Sequence, residues 1–129
     1  MSTITNYEEM EVWQKSMNLI TNVYQITKNK SFLRDYSLVN QIRRSAISIA
    51  SNIAEGFERD GNKELINFLY IAKGSCGELK CQLQIARNLA YIESNRFEEL
   101  YNLANLISKS LGGLIKYLQN SDLKGKKYK

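Results

Sequence analysis

A chain of 129 residues with 43% apolar side chains is long enough for one domain with a real core. It contains no histidine, which excludes His-based acid–base catalysis, Ser-His and Cys-His nucleophile pairs and His-containing metal sites. The net charge is +5, but the last nine residues, SDLKGKKYK, hold four Lys against one Asp, so the basic balance is largely a property of the tail.

No apolar run approaches the roughly 18 residues that a membrane span needs. The N-terminal MSTITNYEEMEVW is acidic and lacks the basic-then-apolar plan of a signal peptide, so a cytoplasmic location is expected. Cys76 and Cys81 are five residues apart on one expected helix and point to different faces. They are expected to be free, buried thiols rather than a disulfide.

The chain reads as all-α. Its first helix is expected over Glu9–Lys28, with an apolar stripe of Met10, Trp13, Met17, Ile20 and Tyr24, widened by Val23 and Ile26. Asn29–Tyr36 reads as a loop whose Phe32 and Leu33 fold over one end of the molecule, and Ser37 as the N-cap of the second helix. That helix reaches Arg59 through Gly56, because Glu55 and Arg59 make a favourable i,i+4 pair. Asp60-Gly61-Asn62 is a turn, and Gly61 with Glu64 resembles a weak capping box.

The third helix is expected over Asn62–Tyr91, with the seam Leu65, Leu69, Ala72, Cys76, Leu79, Leu83, Ala86, Ala90. Gly74 and Gly77 interrupt it, and close approach of a neighbouring helix would compensate their cost. Ser94-Asn95 ends this helix and, with Glu98, caps a fourth from Arg96 to Gln119. The fourth seam is Leu100, Ala104, Ile107, Leu111, Leu114, Leu118, and Asn120-Ser121 should stop it. Residues 1–120 therefore read as an antiparallel up-down-up-down four-helix bundle with seams suited to crossing near 20°, and 121–129 as a disordered basic tail.

The second helix carries two seams. Val39, Ile42, Ala46, Ile49 and Ile53 form a heptad-spaced apolar row that asks for partner helices. Gln41, Ser45, Ser48, Asn52 and Glu55 form a low-charge polar row of the kind that faces protein, inside the bundle or across a subunit contact. These five residues are the candidate oligomer interface. Eight Tyr spread along the chain also favour interfaces, since Tyr couples a rigid apolar ring to a polar tip.

This same stretch, Gln41-Ile42-Arg43-Arg44-Ser45-Ala46 with Ser48-Ile49 and Ser51-Asn52-Ile53-Ala54-Glu55-Gly56-Phe57, resembles the core signature of the bacterial four-helix-bundle family called the 23S rRNA intervening-sequence proteins. Glu11-Val12-Trp13-Gln14, Phe68-Leu69 and Ile71-Ala72-Lys73-Gly74-Ser75 match as well, so the resemblance runs from about Tyr7 to Leu118. The family often has Pro where Ala50 stands and near Phe32-Leu33. This chain has no Pro, which favours a straighter second helix. The resemblance implies a homo-oligomer, with a pentameric ring the associated form, and encoding within rRNA-gene insertions. It extends to the accessory variability protein of diversity-generating retroelements, which binds a reverse transcriptase and nucleic acid.

Gly74-Ser75-Cys76-Gly77 lacks the strand-to-helix turn of a nucleophile motif, and Arg59 and Lys63 interleave the carboxylates Glu55, Glu58, Asp60 and Glu64. No enzyme, cofactor, metal or small-molecule substrate is expected. Candidate nucleic-acid-binding residues are Arg43, Arg44, Lys73, Lys80, Arg87, Lys109 and Lys116. Lys73, Lys80 and Arg87 repeat every seven residues along one helix face, as do Lys109 and Lys116, a pattern suited to phosphate tracking. The expected function is a non-enzymatic oligomeric binding protein for RNA or a ribonucleoprotein. The alternative is a protein–protein scaffold without nucleic-acid binding.

Overall fold

A computed structural model describes the backbone of residues 5–128 and the side chains of residues 5–121. The described chain is all-helical. A short 3-10 turn at Tyr7–Glu9 precedes α1 (Glu11–Ile26), α2 (Lys30–Leu33), α3 (Tyr36–Glu58), α4 (Asn62–Asn88) and α5 (Ser94–Tyr128). Helix α3 packs on α4, α4 on α5, and α1 on both α3 and α5. Leu19, Val23, Ile42, Ile49, Ile53, Leu79, Leu83, Leu100, Ile107 and Leu111 are fully buried between them.

The seams of α3, α4 and α5 lie where their spacing puts them. Leu69, Ala72, Cys76, Leu79, Leu83 and Ala86 are buried, while Leu65 is only half-buried and Ala90 is exposed. On α5, Phe97 and Ile115 join the core, and Leu114 stays at its margin. Helix α1 departs from expectation. Its buried row is Val12, Ser16, Leu19, Val23 and Ile26, one face round from the row of larger side chains. Ser16 fits there because its hydroxyl donates to the Val12 carbonyl at 2.7 Å. Trp13, Ile20 and Tyr24 become half-buried flanks, and Met17 is exposed. Met10 is extended rather than helical, yet buried.

The ends also differ in detail. The expected loop before α3 holds the one-turn helix α2, capped by Asn29, whose Oδ1 accepts from the Ser31 amide at 3.1 Å. Phe32 is buried beneath Tyr91, with ring centroids 5.1 Å apart, whereas Leu33 is exposed. Asp35, not Ser37, caps α3, accepting from the Leu38 amide at 3.1 Å. Gly61 turns the chain with φ +89, and no side-chain capping bond forms at α4. Helix α4 ends at Asn88 rather than Tyr91. Ala90 adopts φ 60, and the Tyr91 amide returns to the Ala86 carbonyl at 2.9 Å, closing a left-handed cap usually built with Gly. Helix α5 passes the expected stop at Asn120-Ser121, where neither Gly nor Pro interrupts it. The expectation of a disordered 121–129 tail falls outside the described side chains.

Close helix approach occurs at Gly56 and not at Gly74 or Gly77. A Cβ on Gly56 would sit 2.7 Å from the Phe68 Cβ and 3.1 Å from Leu65 Cδ1, whereas one on Gly74 or Gly77 would meet nothing within 4 Å. Beyond Gly56, Ser48 faces Ser75 with hydroxyls 2.8 Å apart, and Tyr91 donates to Asp35 at 3.1 Å. Contacts between α3 and α4 thus run in opposite numerical senses.

A chemical-denaturation series tests this packing. Ile49→Ala and Leu83→Ala should each lose about 2–5 kcal/mol, as buried large-to-small changes do. Gly56→Ala should lose about 1–3 kcal/mol through overpacking. Gly74→Ala should instead gain about 0.5–1 kcal/mol, since an exposed helical Gly only adds freedom to the unfolded chain. A loss at Gly74 as large as that at Gly56 would contradict the assignment of the tight contact.

Candidate nucleic-acid interface

The seven candidate cations do not form one group. Arg43 belongs to the α1–α3 contact: its Nε donates to Thr27 Oγ1 at 2.9 Å, and its guanidinium carbon lies 4.3 Å from the Tyr24 ring centroid. Arg44, next to it, is exposed on α3. Neither joins the other five, which lie on α4 and α5.

Lys73, Lys80 and Arg87 run along the margin of α4 that faces α5, and each meets a residue of that helix. The Lys73 stem passes Gly112, where an added Cβ would stand 3.4 Å from the Lys73 Cε. Lys80 donates from Nζ to Asn105 Oδ1 at 3.0 Å, with Nζ 5.8 Å from the Tyr101 ring centroid. The Arg87 guanidinium carbon stands 4.0 Å from the centroid of buried Phe97. Long cationic side chains can lay their stems on a neighbour while holding the charged group in water. Lys109 and Lys116 are exposed, each one turn beyond Asn105 and Gly112 respectively, so they stand on the same side of α5, turned about 40° outward. Among the described residues the ion pairs are Lys15–Glu11, Arg59–Glu55 and Arg96–Glu99. None of the five α4–α5 cations takes part in them. Glu98 is the acid on this side of α5, at the Arg87 end.

Sequence spacing found the cations but not their supports Phe97, Tyr101, Asn105 and Gly112. The signal was the turn itself: a hairpin bending at Ala90–Glu93 pairs positions equally distant from the bend, Lys80 with Asn105 and Lys73 with Gly112.

The candidate interface residues on α3 are partly spent inside the chain. Ser45 is buried, and Ser48 bonds to Ser75 on α4 while Asn52 donates to the Ser48 carbonyl at 2.8 Å. Gln41 and Glu55 are exposed, and Glu55 pairs with Arg59 at 3.1 Å. Buried Gln82 borders this seam with its Oε1 unpartnered.

An open cleft of about 940 Å³ at one end is lined by Gln25, Arg87, Tyr91, Glu93, Asn95 and Arg96. Its Arg96 is committed to Asn22 at 2.8 Å, Gln25 at 3.1 Å and Glu99 at 3.5 Å. The hydrogen bond to Asp35 raises the Tyr91 hydroxyl above the ordinary tyrosine range. Among the described residues, no cluster of His, Cys, Asp or Glu could hold a metal ion, and no helix is long and apolar enough to cross a membrane.

The family model of the 23S rRNA-intervening sequence protein matches residues 8–113, nearly the whole of the helical region. The chain belongs to this family. The match spans the α3 signature and the α4–α5 seam as far as Gly113. Among solved structures, the chain is similar to a protein of unknown function from the S23 ribosomal protein family of Bacteroides thetaiotaomicron. The two share 30% identity with a TM-score of 0.75, over 81% of this chain and 98% of that one. No curated protein matches it.

Cys76 and Cys81 separate, correcting the expectation that both are buried. Cys81 is exposed, while burial pushes the Cys76 thiol up to about 11 against the weaker pull of Lys80 and Lys73. Below that value Cys76 stays protonated, so a thiol reagent at neutral pH should modify one cysteine in the native protein and the second only on unfolding. Equal native rates at both would contradict the burial of Cys76.

Proposed function

We propose that this family member is a non-enzymatic, oligomeric, antiparallel up-down-up-down four-helix bundle that binds RNA or a ribonucleoprotein through its α4–α5 face. The bundle arrangement is supported by opposite-running contacts in two successive helix pairs. On α4–α5, Arg87 meets Phe97, Lys80 meets Asn105, and Tyr70 accepts from Gln119 at 3.2 Å. The observation that carries the RNA reading is a row of three cations seven residues apart, steadied by α5 and outside the ion pairs of the described residues. A second row, Lys109 and Lys116, stands beside it. Phosphate is the ligand such rows recognise, and RNA is the source of phosphate proposed for this member of the 23S rRNA-intervening sequence family.

Assembly is supported by a different face. Ile71, Ile85 and Leu89 expose 51%, 43% and 48% of their surfaces on α4. Ile71 lies one turn from Ser75, and Leu89 two turns from Gln82, so these side chains, with exposed Glu78 midway between Ile71 and Ile85, border the α3–α4 polar seam and its exposed Gln41 and Glu55. Large exposed apolar side chains beside a low-charge seam suit a contact between copies, and a pentamer is the form proposed. A scaffold that binds only protein would use this face and leave the cations idle.

The test is a salt titration of binding to structured rRNA fragments, with the assembly sized by light scattering in the same buffer. Scattering should give a multiple of 14.9 kDa; a monomer at micromolar concentration would contradict the assembly. Reversing Lys73, Lys80 and Arg87 to Glu should abolish binding. Deleting 121–129, which carries +3, should only weaken it. For every phosphate that a variant no longer neutralises, the slope of log affinity against log salt should fall by about 0.7–0.9. If the reversal has no effect and the deletion abolishes binding, the tail is a non-specific polycation and the scaffold reading takes the lead.

A further inference from the structure

We infer that the α4–α5 face is built for the phosphate backbone of double-stranded RNA and not for the bases of a single strand. This rests on the RNA reading above and narrows it.

A single-strand binder needs free aromatic plates on which successive bases stack. Along this face the plates are already covered. Arg87 lies on Phe97, itself buried, and Lys80 reaches over half-buried Tyr101. Tyr70, at the Lys73 end, is one ring whose hydroxyl is tied to Gln119. Exposed Tyr117 follows Lys116 in sequence but is turned about 100° from it round α5, so the two rings do not form a run of plates along the rows.

Stacking changes what the cations can do. The Arg87 guanidinium carbon stands 4.0 Å from the Phe97 centroid, and a guanidinium held over a ring still has N–H donors to offer to phosphate oxygens. Lys80 gives one of its three N–H groups to Asn105 and keeps the others. These charges are therefore positioned before a ligand arrives, and less side-chain freedom is lost on binding.

The layout suits two strands. Lys73 to Arg87 spans about 21 Å in steps of about 10 Å. The Lys109–Lys116 row runs beside it, on a helix whose axis is about 8–10 Å away. Two rows carried on packed helices can meet the two phosphate strands that border one groove, the shape-based contact by which duplex RNA is recognised. Gly74 and Gly77, beside the first row, carry no side chain into open space, so nothing there stands above the cations to fend off a broad, stiff ligand.

The test compares a mixed-sequence RNA duplex of about 20 base pairs with an unstructured uridine oligomer of equal length, by fluorescence anisotropy at matched salt. The duplex should bind at least about tenfold tighter. Lys80→Gln with Arg87→Gln should erase that preference, and circular dichroism and light scattering report whether fold and assembly survive. Tyr70→Ala, which removes the exposed plate at the Lys73 end, should leave duplex affinity within about twofold. Equal or tighter binding of the uridine oligomer, lost on Tyr70→Ala, would overturn the duplex inference and leave the RNA reading standing. Binding of neither probe would overturn both.

Discussion

At Gly56 the backbone of α3 packs against a side chain of α4: an added Cβ would stand 2.7 Å from the Phe68 Cβ, nearer than at any other described glycine. Leaving out a side chain there lets α3 and α4 meet tightly just above the Gly61 turn. That contact sets the register in which Ser48 faces Ser75 and Asp35 receives Tyr91. Much of the rest depends on that register. With α4 fixed about its axis, Leu79 and Leu83 point into the core, and Lys73, Lys80 and Arg87 come to the margin that faces α5.

Along that margin, packing and charge share the same side chains. Lys73, Lys80 and Arg87 use a glycine, an amide and two aromatic rings as supports, so they close the α4–α5 seam without a carboxylate partner among the described residues. Elsewhere the chain pairs cations with acids one turn away, as in Lys15–Glu11 and Arg59–Glu55. An exposed ion pair is worth little for stability and cancels its own field. Supporting a cation on an uncharged partner keeps the field available, and the proposed RNA face depends on this difference.

Much of the fold was legible because heptad spacing and turn chemistry agree over long stretches. Ile42, Ile49, Ile53, Leu69, Leu79, Leu83 and Ile107 are buried as their spacing implies, and Gly61 turns the chain at the expected place. Spacing failed on α1, where two apolar rows lie side by side and the steps of three and four fit Met17 as well as Leu19. Only packing selects the Leu19 row, and it does so with Ser16 satisfied by its own backbone. Spacing also misplaced the tight contact. A glycine in a helix signals close approach only if a neighbour occupies the space, as Phe68 does at Gly56 and nothing does at Gly74. The candidate site was half legible: the heptad repeat of Lys73, Lys80 and Arg87 is visible in one helix, but their supports Phe97 and Asn105 belong to another. The low charge of the polar row on α3 implies that it faces protein, and its Ser45 and Ser48 do so within the chain.

Lysine footprinting tests the RNA face most directly: acetylation of the free protein and of its complex with duplex RNA, mapped by mass spectrometry. Lys73, Lys80, Lys109 and Lys116 should be protected, with Lys15, Lys28 and Lys30 unchanged. Protection of Lys15, Lys28 and Lys30 with the α4–α5 lysines still reactive would contradict it.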